Sequence, residues 1–337
     1  MIPLVAVLTT IQAPTASVTD LLEALRTIDA RLIVIGDKKG PSQFQGGLAD
    51  FFPLAEQSKL PYRLAHLLPT GHYSRKNLGY LIAFDRGARC IYETDDDNAP
   101  LPSWVPRMES IKAQRVVARP WMNVYRLFKN ELIWPRGFPL DKVGDLETFR
   151  HDGSAALENV VAPIQQGLAN NSPDVDAVWR LALDRPMDFD PGPSVWLPPD
   201  TYCPFNSQTT WWWPDAYPLM YLPSYCSFRM TDIWRSFIAQ RCLWACGSGV
   251  AFHGAEVVQQ RNEHNLLRDF EDEIPGYLHN EHIVRVLNKC NLGPGIENAA
   301  GNLHRCYQAL VEVTIFPPEE MPLLEAWLDD IAAVAKT

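Results

Sequence analysis

The sequence predicts an α/β fold in which a mostly parallel sheet is flanked by helices. Strand-like and helix-like segments alternate through the first hundred residues, which is the pattern of parallel sheets with short crossovers. Of the 337 residues, 47% are hydrophobic, which is enough for a sizeable core. The net charge of -10 disfavours a nucleic acid as partner. No stretch approaches the roughly 20 apolar residues of a membrane-spanning helix, so no integral membrane segment is predicted.

Three apolar strands are predicted in the first hundred residues, and each ends in polar residues. The strands are 4–8, 32–36 and 89–94, and the helices between them lie near 17–28 and 77–87. The polar residues that follow the strands are Thr9 and Thr10, Asp37 and Lys38, and the acidic run Asp95, Asp96 and Asp97. Because ligands of parallel sheets bind beyond the carboxyl ends of strands, we expect these side chains to share a site.

The rest of the chain has less periodicity. Residues 99–225 are rich in Pro, Trp and Gly, which predicts an irregular half. A strong helix is predicted at 231–246, a returning strand at 249–252, and closing helices near 282–287 and 322–334.

The acidic run predicts a metal site. Three adjacent carboxylates at the end of an apolar strand raise one another's pKa, and a divalent cation relieves that repulsion. Oxygen ligands suit Mg²⁺ or Mn²⁺, which can also bind phosphate oxygens. The alternative is a solvated acidic turn, and the buried strand before it favours the metal site.

A second charged motif, Arg75, Lys76 and Asn77, opens a predicted helix. Two cations at a helix N-terminus oppose the helix dipole, so an anion such as a diphosphate is a natural partner. A solvent-facing basic turn is the alternative.

Other polar residues have two interpretations each. Asp232 begins a helix, either as an N-terminal charge or as a base for an acceptor hydroxyl. Asp174 and Asp176 form either a helix start or a second carboxylate pair. His253 and His264 are candidates to complete a metal site, although a packed or solvated histidine is more common. The aromatic residues Trp211, Trp212 and Trp213 suit either a sugar platform or the core.

The cysteines and the N-terminus indicate a compartment. The seven cysteines are scattered and form no Cys-x-x-Cys motif, which fits a reducing environment. The first residues are strand-like and lack the features of a signal peptide. We therefore expect a cytoplasmic protein.

Several segments resemble, in the same order, those of the STELLO proteins, a glycosyltransferase-like family. The resemblance extends over roughly residues 4–250. The matching segments are 7–15 (VLTTIQAPT), 34–39 (VIGDKK), 74–80 (SRKNLGY), 92–98 (YETDDDN), 133–140 (IWPRGFPL), 173–178 (PDVDAV), 205–208 (FNSQ) and 228–235 (FRMTDIWR).

The resemblance implies a fold of GT-A type, which is Rossmann-like, and a distant similarity to UDP-arabinopyranose mutases, also called reversibly glycosylated polypeptides. It implies a nucleoside-diphosphate sugar as donor, a UDP-sugar above all, and Mn²⁺ or Mg²⁺ as cofactor. We predict a transferase that moves the sugar to a hydroxyl of a saccharide or glycoconjugate acceptor. The chain would then comprise a nucleotide-sugar-binding part (1–110), an acceptor-side part of the same domain (111–265) and a C-terminal helical extension (266–337).

The resemblance also implies roles for individual residues. The acidic run would hold the metal through Asp95 and Asp97, with Asp96 beside the donor. The other implied donor contacts are Thr10, Asp37 and Lys38 to the nucleoside, and Arg75, Lys76 and Asn77 to the diphosphate. Asp232 would be a catalytic or acceptor-binding carboxylate, and Arg136 and Arg235 would be cations on the donor or acceptor side.

Two alternatives to a transferase stay open. One is a UDP-sugar mutase, which needs no acceptor. The other is a non-catalytic scaffold for a polysaccharide synthase, since the plant STELLO proteins act in the Golgi alongside cellulose synthase. A homo-oligomer or a synthase complex would be the corresponding assembly. The intact acidic run beside Arg75 and Lys76 favours an active enzyme, because a scaffold need not keep clustered charges.

Overall fold

In the computed structural model, which describes residues 4–44, 47–150, 156–261 and 265–335, one mixed sheet has helices on both faces. In the described ranges the strands are β1 (Leu4–Thr10), β2 (Arg31–Gly36), β3 (Ala49–Phe52), β4 (Cys90–Thr94), β5 (Asn98–Pro100), β6 (Ser110–Arg115), β7 (Leu157–Val161), β8 (Ile164–Asn170), β9 (Val195–Leu197), β10 (Thr209–Trp212) and β11 (Val250–Gln259). The α-helices there are α1 (Ala16–Thr27), α2 (Leu54–Gln57), α3 (Lys76–Asp85), α4 (Tyr125–Phe128), α5 (Ala177–Ala182), α6 (Thr231–Ala245), α7 (Leu266–Lys289), α8 (Ala299–Glu312) and α9 (Glu320–Val334).

The strand order is β3-β2-β1-β4-β10-β8-β11-β9-β6-β7, with β5 paired to β11. Strands β3, β2, β1 and β4 are parallel to one another. Strand β10 is antiparallel to both β4 and β8, and β8 is parallel to β11. Strands β1, β2, β4, β8 and β11 therefore point the same way, and their carboxyl ends lie at one edge of the sheet. The predicted α/β sheet flanked by helices is confirmed.

Alternating side chains of β1 and β2 build two cores. Ala6 and Leu8 face α1, whereas Val7 faces α3. Helix α3 lies very close to the sheet, because a Cβ atom on Gly79 would stand 2.5 Å from the Val7 side chain. This close approach brings the N-terminus of α3 beside the end of β4.

The C-terminal helices pack on the α3 side of the sheet. The Trp327 indole donates to the Pro218 carbonyl at 2.9 Å, and the Glu320 carboxylate accepts from the Tyr221 hydroxyl at 2.5 Å. The predicted closing helices are present and longer than predicted, and α8 was not predicted. Strands of the predicted parts 1–110 and 111–265 belong to one sheet, and the proposed boundaries themselves stay a prediction. Within the described ranges, no helix has both the length and the apolar character to cross a membrane.

Candidate active site

A cleft of about 730 Å³ lies at the edge where the carboxyl ends of these strands meet. One wall follows β1, β2 and β4, and the other follows β8, β11 and the start of α6. The predicted site residues that line it are Thr10, Asp37, Lys38, Asp95, Asp96, Asp97, Arg136 and Asp232. The expected convergence of strand-end side chains is therefore present in the structure.

The three aspartates of the acidic run have different partners. Asp96 accepts from the Thr10 hydroxyl at the end of β1 and from the Gln12 side chain at 3.3 Å. The Asp97 carboxylate accepts from the Asn98 side chain at 3.0 Å and from Gln259, at the end of β11, at 2.9 Å. The acidic run thus touches both walls of the cleft.

Asp95 is bound from α3. Its Oδ1 accepts from the Tyr73 hydroxyl at 2.6 Å and from Lys76 Nζ at 2.9 Å. Burial raises the pKa of Asp95 despite the neighbouring Lys76. Burial, followed by the charge of Asp95, raises the pKa of Asp97 to about 7. The raised pKa values show that the surrounding side chains only partly compensate the charge of an ionised acidic run.

The acidic run fits a divalent cation that a substrate helps to hold. Asp95 and Asp97 are two positions apart, line the open cleft and offer only oxygen ligands, as Mg²⁺ and Mn²⁺ prefer. Among the residues that the structure describes, no group of three or more His, Cys, Asp or Glu side chains is arranged to hold a metal. A cation at this site would therefore depend on phosphates and water for its remaining ligands.

Of the predicted diphosphate contacts, only Lys76 reaches the acidic run. Arg75 points away from the cleft: its Nε donates to Gln57 at 2.6 Å and its Nη1 to the Leu68 carbonyl at 3.0 Å. Asn77 pairs with both backbone groups of Leu222 at 2.9 Å. Lys76 is fully buried and holds Asp95. The prediction that Arg75 and Asn77 contact the diphosphate is therefore wrong. Both side chains form hydrogen bonds on the side of the wall that faces away from the cleft.

Asp37 is held by backbone donors. Its carboxylate accepts from the N–H groups of Lys38 at 2.7 Å, Gly71 at 2.8 Å and His72 at 2.9 Å. It thereby fixes the 71–72 turn at the mouth of the cleft, next to the Lys38 side chain.

Arg136 bridges two buried carboxylates on the second wall. Its guanidinium donates to Asp174 at 2.8 and 2.9 Å and to Asp232 at 3.0 and 2.9 Å. Burial would raise the pKa of Asp232, but the charge and hydrogen bonds of Arg136 outweigh it and hold that pKa below its ordinary value. Asp232 is therefore an ionised but weakly basic group.

Tyr73 and Ser207 connect the two walls. Tyr73 Oη lies 2.6 Å from Ser207 Oγ, and Ser207 Oγ donates to Asp232 Oδ2 at 3.2 Å. A chain of polar contacts thus runs from Asp95 through Tyr73 and Ser207 to Asp232 and Arg136.

Arg235 lies outside the cleft, contrary to its predicted role. Its side chain is 1% exposed, its Nη1 donates to Glu93 at 2.8 Å, and its guanidinium lies 5.0 Å from the Trp212 ring. One helical turn beyond Asp232, it reaches the core instead of the cleft. Trp211, Trp212 and Trp213 are buried as well, which decides for the core alternative.

His253 is a packed histidine and not a metal ligand. Its ring contacts Ser194 at 2.7 Å and Gln165 at 2.9 Å, and burial lowers its pKa well below the ordinary value. His264 lies outside the described residues. Asp176 caps α5 by accepting from the Trp179 N–H at 2.8 Å, so only Asp174 of that pair reaches the cleft.

Several side chains of the cleft were not predicted. Tyr73 and Ser207 connect the walls, Gln259 contacts Asp97, and Arg180, Arg229 and Arg261 line the second wall. Ser207 and Arg229 lie in the FNSQ and FRMTDIWR segments, which could have identified them. Gln259 and Arg261 carry no local signal, because only the sheet order shows where β11 ends.

Comparisons with known proteins identify relatives of this chain. Residues 229–336 match the family model of the STELLO glycosyltransferases. Two Arabidopsis thaliana proteins, "Probable glycosyltransferase STELLO2" and "Probable glycosyltransferase STELLO1", are 27% and 28% identical over 335 and 243 residues. These alignments cover 90% and 66% of this chain, and the chain spans 42% and 31% of the relatives' own length.

One solved structure, titled "Crystal Structure of a Mycobacterial Protein", aligns with a TM-score of 0.40 and 11% identity. The alignment covers 82% of this chain and 74% of that chain, and the similarity is too low for an argument. The family match includes α6 to α9, which the resemblance noted from the sequence did not fully cover. By the family model and by both Arabidopsis proteins, the chain is similar to the STELLO glycosyltransferases.

Proposed function

We propose that the chain is a glycosyltransferase that moves a sugar from a UDP-sugar donor to a hydroxyl of a saccharide or glycoconjugate acceptor, with Mn²⁺ or Mg²⁺. One observation carries the proposal: Asp95, Asp96 and Asp97 line an open cleft at the carboxyl ends of β1, β2 and β4. That edge is where nucleotides bind in α/β sheets of this kind. The relation to the STELLO glycosyltransferases supports the sugar-transfer chemistry.

On the donor wall, Asp95 and Asp97 would hold the cation, and Thr10, Asp37 and Lys38 would contact the nucleoside. A divalent cation bound there would supply the positive charge that a leaving diphosphate requires. Lys76 positions Asp95 from behind, since its Nζ also donates to the Thr94 carbonyl at 2.6 Å.

On the acceptor wall, we assign Asp232 a binding role. Its depressed pKa makes it a poor base, whereas its ionised carboxylate can accept a hydrogen bond from a sugar hydroxyl. Arg136 holds this carboxylate in place through two contacts of 2.9 and 3.0 Å and so acts as a positioning residue.

Calorimetric titration of UDP with Mn²⁺, repeated with EDTA, tests the proposal. We expect binding that requires the metal and that Asp97→Asn weakens by at least about tenfold, because a carboxylate ligand is lost. Asp20→Asn removes the same charge from the exposed face of α1 and serves as the control. Equal UDP affinity in Asp97→Asn and wild type would overturn the metal assignment.

Product analysis separates the transferase from its alternatives. A UDP-sugar incubated with a saccharide should yield free UDP and an extended saccharide. Conversion of the sugar ring without any acceptor would instead identify a mutase. If UDP does not bind with or without Mn²⁺, the proposal fails and the scaffold alternative gains support.

A further inference from the structure

Three arginines converge on the second wall of the cleft, from three different elements. Arg180 belongs to α5, Arg229 precedes α6, and Arg261 follows β11, and all three line the cleft. In a chain whose net charge is -10, this is a local concentration of positive charge. The donor-side roles proposed above use none of the three.

Arg180 is the buried member of this cluster. Its side chain belongs to a residue that is 6% exposed, and its Nη2 donates to the Pro173 carbonyl at 2.6 Å. Within the described ranges its Nε has no hydrogen-bond partner, and no ion pair joins it to a carboxylate. A buried guanidinium with an unused donor is costly to leave unpaired, and an oxyanion satisfies such a group well.

The other two arginines hold their guanidinium groups in fixed positions. Arg229 pairs with the buried Glu273 at 2.8 Å, and Arg261 pairs with Asp269 at 2.7 Å. Both carboxylates belong to α7, so that helix holds the two arginines against the cleft wall.

The three charges act on one another. Burial, followed by the charge of Arg261, lowers the pKa of Arg180 to about 10, although Asp174 acts in the opposite direction. Burial and Arg229 likewise lower the pKa of Arg261. Arg180 keeps its proton at neutral pH despite this lowering, so it can offer a positively charged donor to an anion.

We infer that Arg180, Arg229 and Arg261 form an anion-binding subsite in the cleft, which takes a phosphate or carboxylate group. Guanidinium groups bind such oxyanions through paired, charge-assisted hydrogen bonds. The inference rests on the proposed function for the molecule that carries the anion. That molecule is either the donor, through its diphosphate, or an acidic acceptor such as a phosphorylated sugar or a uronate.

The test compares wild type with Arg180→Met, which keeps most of the side-chain volume and removes the charge. Arg241→Met is the matched control, because Arg241 lies outside the cleft and also donates to backbone carbonyls, those of Leu287 at 3.1 Å and Cys290 at 2.8 Å. Calorimetry with inorganic phosphate or glucuronate in metal-free protein measures the subsite alone. Titration of UDP and of uridine with Mn²⁺ measures the donor.

Arg180→Met should bind at least one of these anions about tenfold to a hundredfold more weakly, which is the range for hydrogen bonds to charged groups. Weaker UDP binding with unchanged uridine binding assigns the subsite to the diphosphate. Weaker binding of phosphate or glucuronate, measured with UDP and Mn²⁺ already bound, assigns it to the acceptor. Arg241→Met should match wild type, and Arg180→Lys should recover part of the affinity.

Unchanged affinity of Arg180→Met for phosphate, glucuronate and UDP would overturn the subsite and leave the proposed function intact. Conversely, if wild type binds phosphate but not UDP with Mn²⁺, the subsite stands and the proposed function fails. Melting curves establish that each variant is folded. If Arg180→Met does not fold, Arg261→Gln takes its place and is expected to weaken the same probe.

Discussion

Lys76 shows how a single residue stabilises the clustered carboxylates of this cleft. The ammonium group is fully buried, and it donates to the Tyr73 hydroxyl at 2.8 Å as well as to the Thr94 carbonyl and Asp95. Three of these oxygens lie at the end of β4 or on the turn before α3, and Nζ also donates to the Ser207 carbonyl at 3.3 Å. The lysine thus joins α3 to the acidic run.

Lys76→Met should destabilise the protein by about 3–5 kcal/mol, because it leaves the Asp95 carboxylate without its buried counter-charge. Glu93, 3.9 Å from Lys76, keeps its ion pair with Arg235 at 2.8 Å. Adding Asp95→Asn should restore part of the loss, since the unpaired charge is then gone. Urea denaturation of wild type, both single variants and the double variant measures the coupling. A double variant no more stable than Lys76→Met would show that the pair is not coupled.

Site residues could be predicted where the sequence indicates the direction in which a side chain points. Asp95 and Asp97 were predicted because they follow a buried strand. Arg75, Lys76 and Asn77 were predicted as a group, but consecutive helical residues point about 100° apart, so only one of them reaches the acidic run. The second wall was largely missed, because its residues come from segments far apart in the chain.

Helix α5 illustrates the energetics of a short element. It has six residues and is capped by Asp176, whose second oxygen accepts from the Trp134 indole at 2.6 Å. Burial raises the pKa of Asp176 to about 7 in spite of these two hydrogen bonds. The cap therefore binds a proton in the folded state at a pH where an unfolded aspartate has lost it.

This raised pKa predicts a pH dependence of stability. The contribution of Asp176 is greatest below the ordinary carboxyl pKa and is lost as the pH rises toward 7. Asp176→Asn does not titrate, so its stability relative to wild type should rise by up to about 2 kcal/mol between pH 5 and pH 7. Urea denaturation at both pH values measures this difference. The altered contact to Trp134 changes the free energy of unfolding by the same amount at each pH. If the difference between Asp176→Asn and wild type is the same at pH 5 and pH 7, the prediction is wrong.

Elements with strong periodicity were predicted, and short or exposed ones were not. Strands β1, β2 and β4 are buried apolar runs, and α6 and α9 have long apolar faces. Strand β9 has three residues, and β6 is half exposed, so neither has a hydrophobic pattern that distinguishes it from a loop. Both exist because neighbouring strands supply their hydrogen bonds, which local sequence does not record.

At the scale of the whole molecule, strands of one sheet contribute to both walls of the cleft. Gln259 of β11 contacts Asp97 at 2.9 Å, and Ser207, just before β10, lies 2.6 Å from Tyr73. A molecule that binds across the cleft therefore contacts residues from distant parts of the chain.

UDP with Mn²⁺ should accordingly shift the thermal unfolding of the entire protein. At a hundredfold excess over Kd, binding adds about 2.7 kcal/mol to the free energy of unfolding. We expect one transition that moves upward with UDP and Mn²⁺ and returns with EDTA, as measured by differential scanning calorimetry. Two transitions of which only one moves would contradict a single folding unit, and Asp97→Asn should show a smaller shift at the same concentrations of UDP and Mn²⁺.

The pairing of β4 with β10 affects when the sheet can fold during synthesis on the ribosome. Strand β4 ends at Thr94, yet its partner β10 runs from Thr209 to Trp212. During synthesis, the nascent chain displays β4 as an open edge, with the acidic run beside it, until that distant strand emerges. Gln259 and Arg261 emerge later still. The time needed to synthesise residues 95–208 therefore sets how long the unpaired edge of β4 can pair with other chains, unless a chaperone covers it. The cleft can form only late in translation, after Gln259 and Arg261 have emerged.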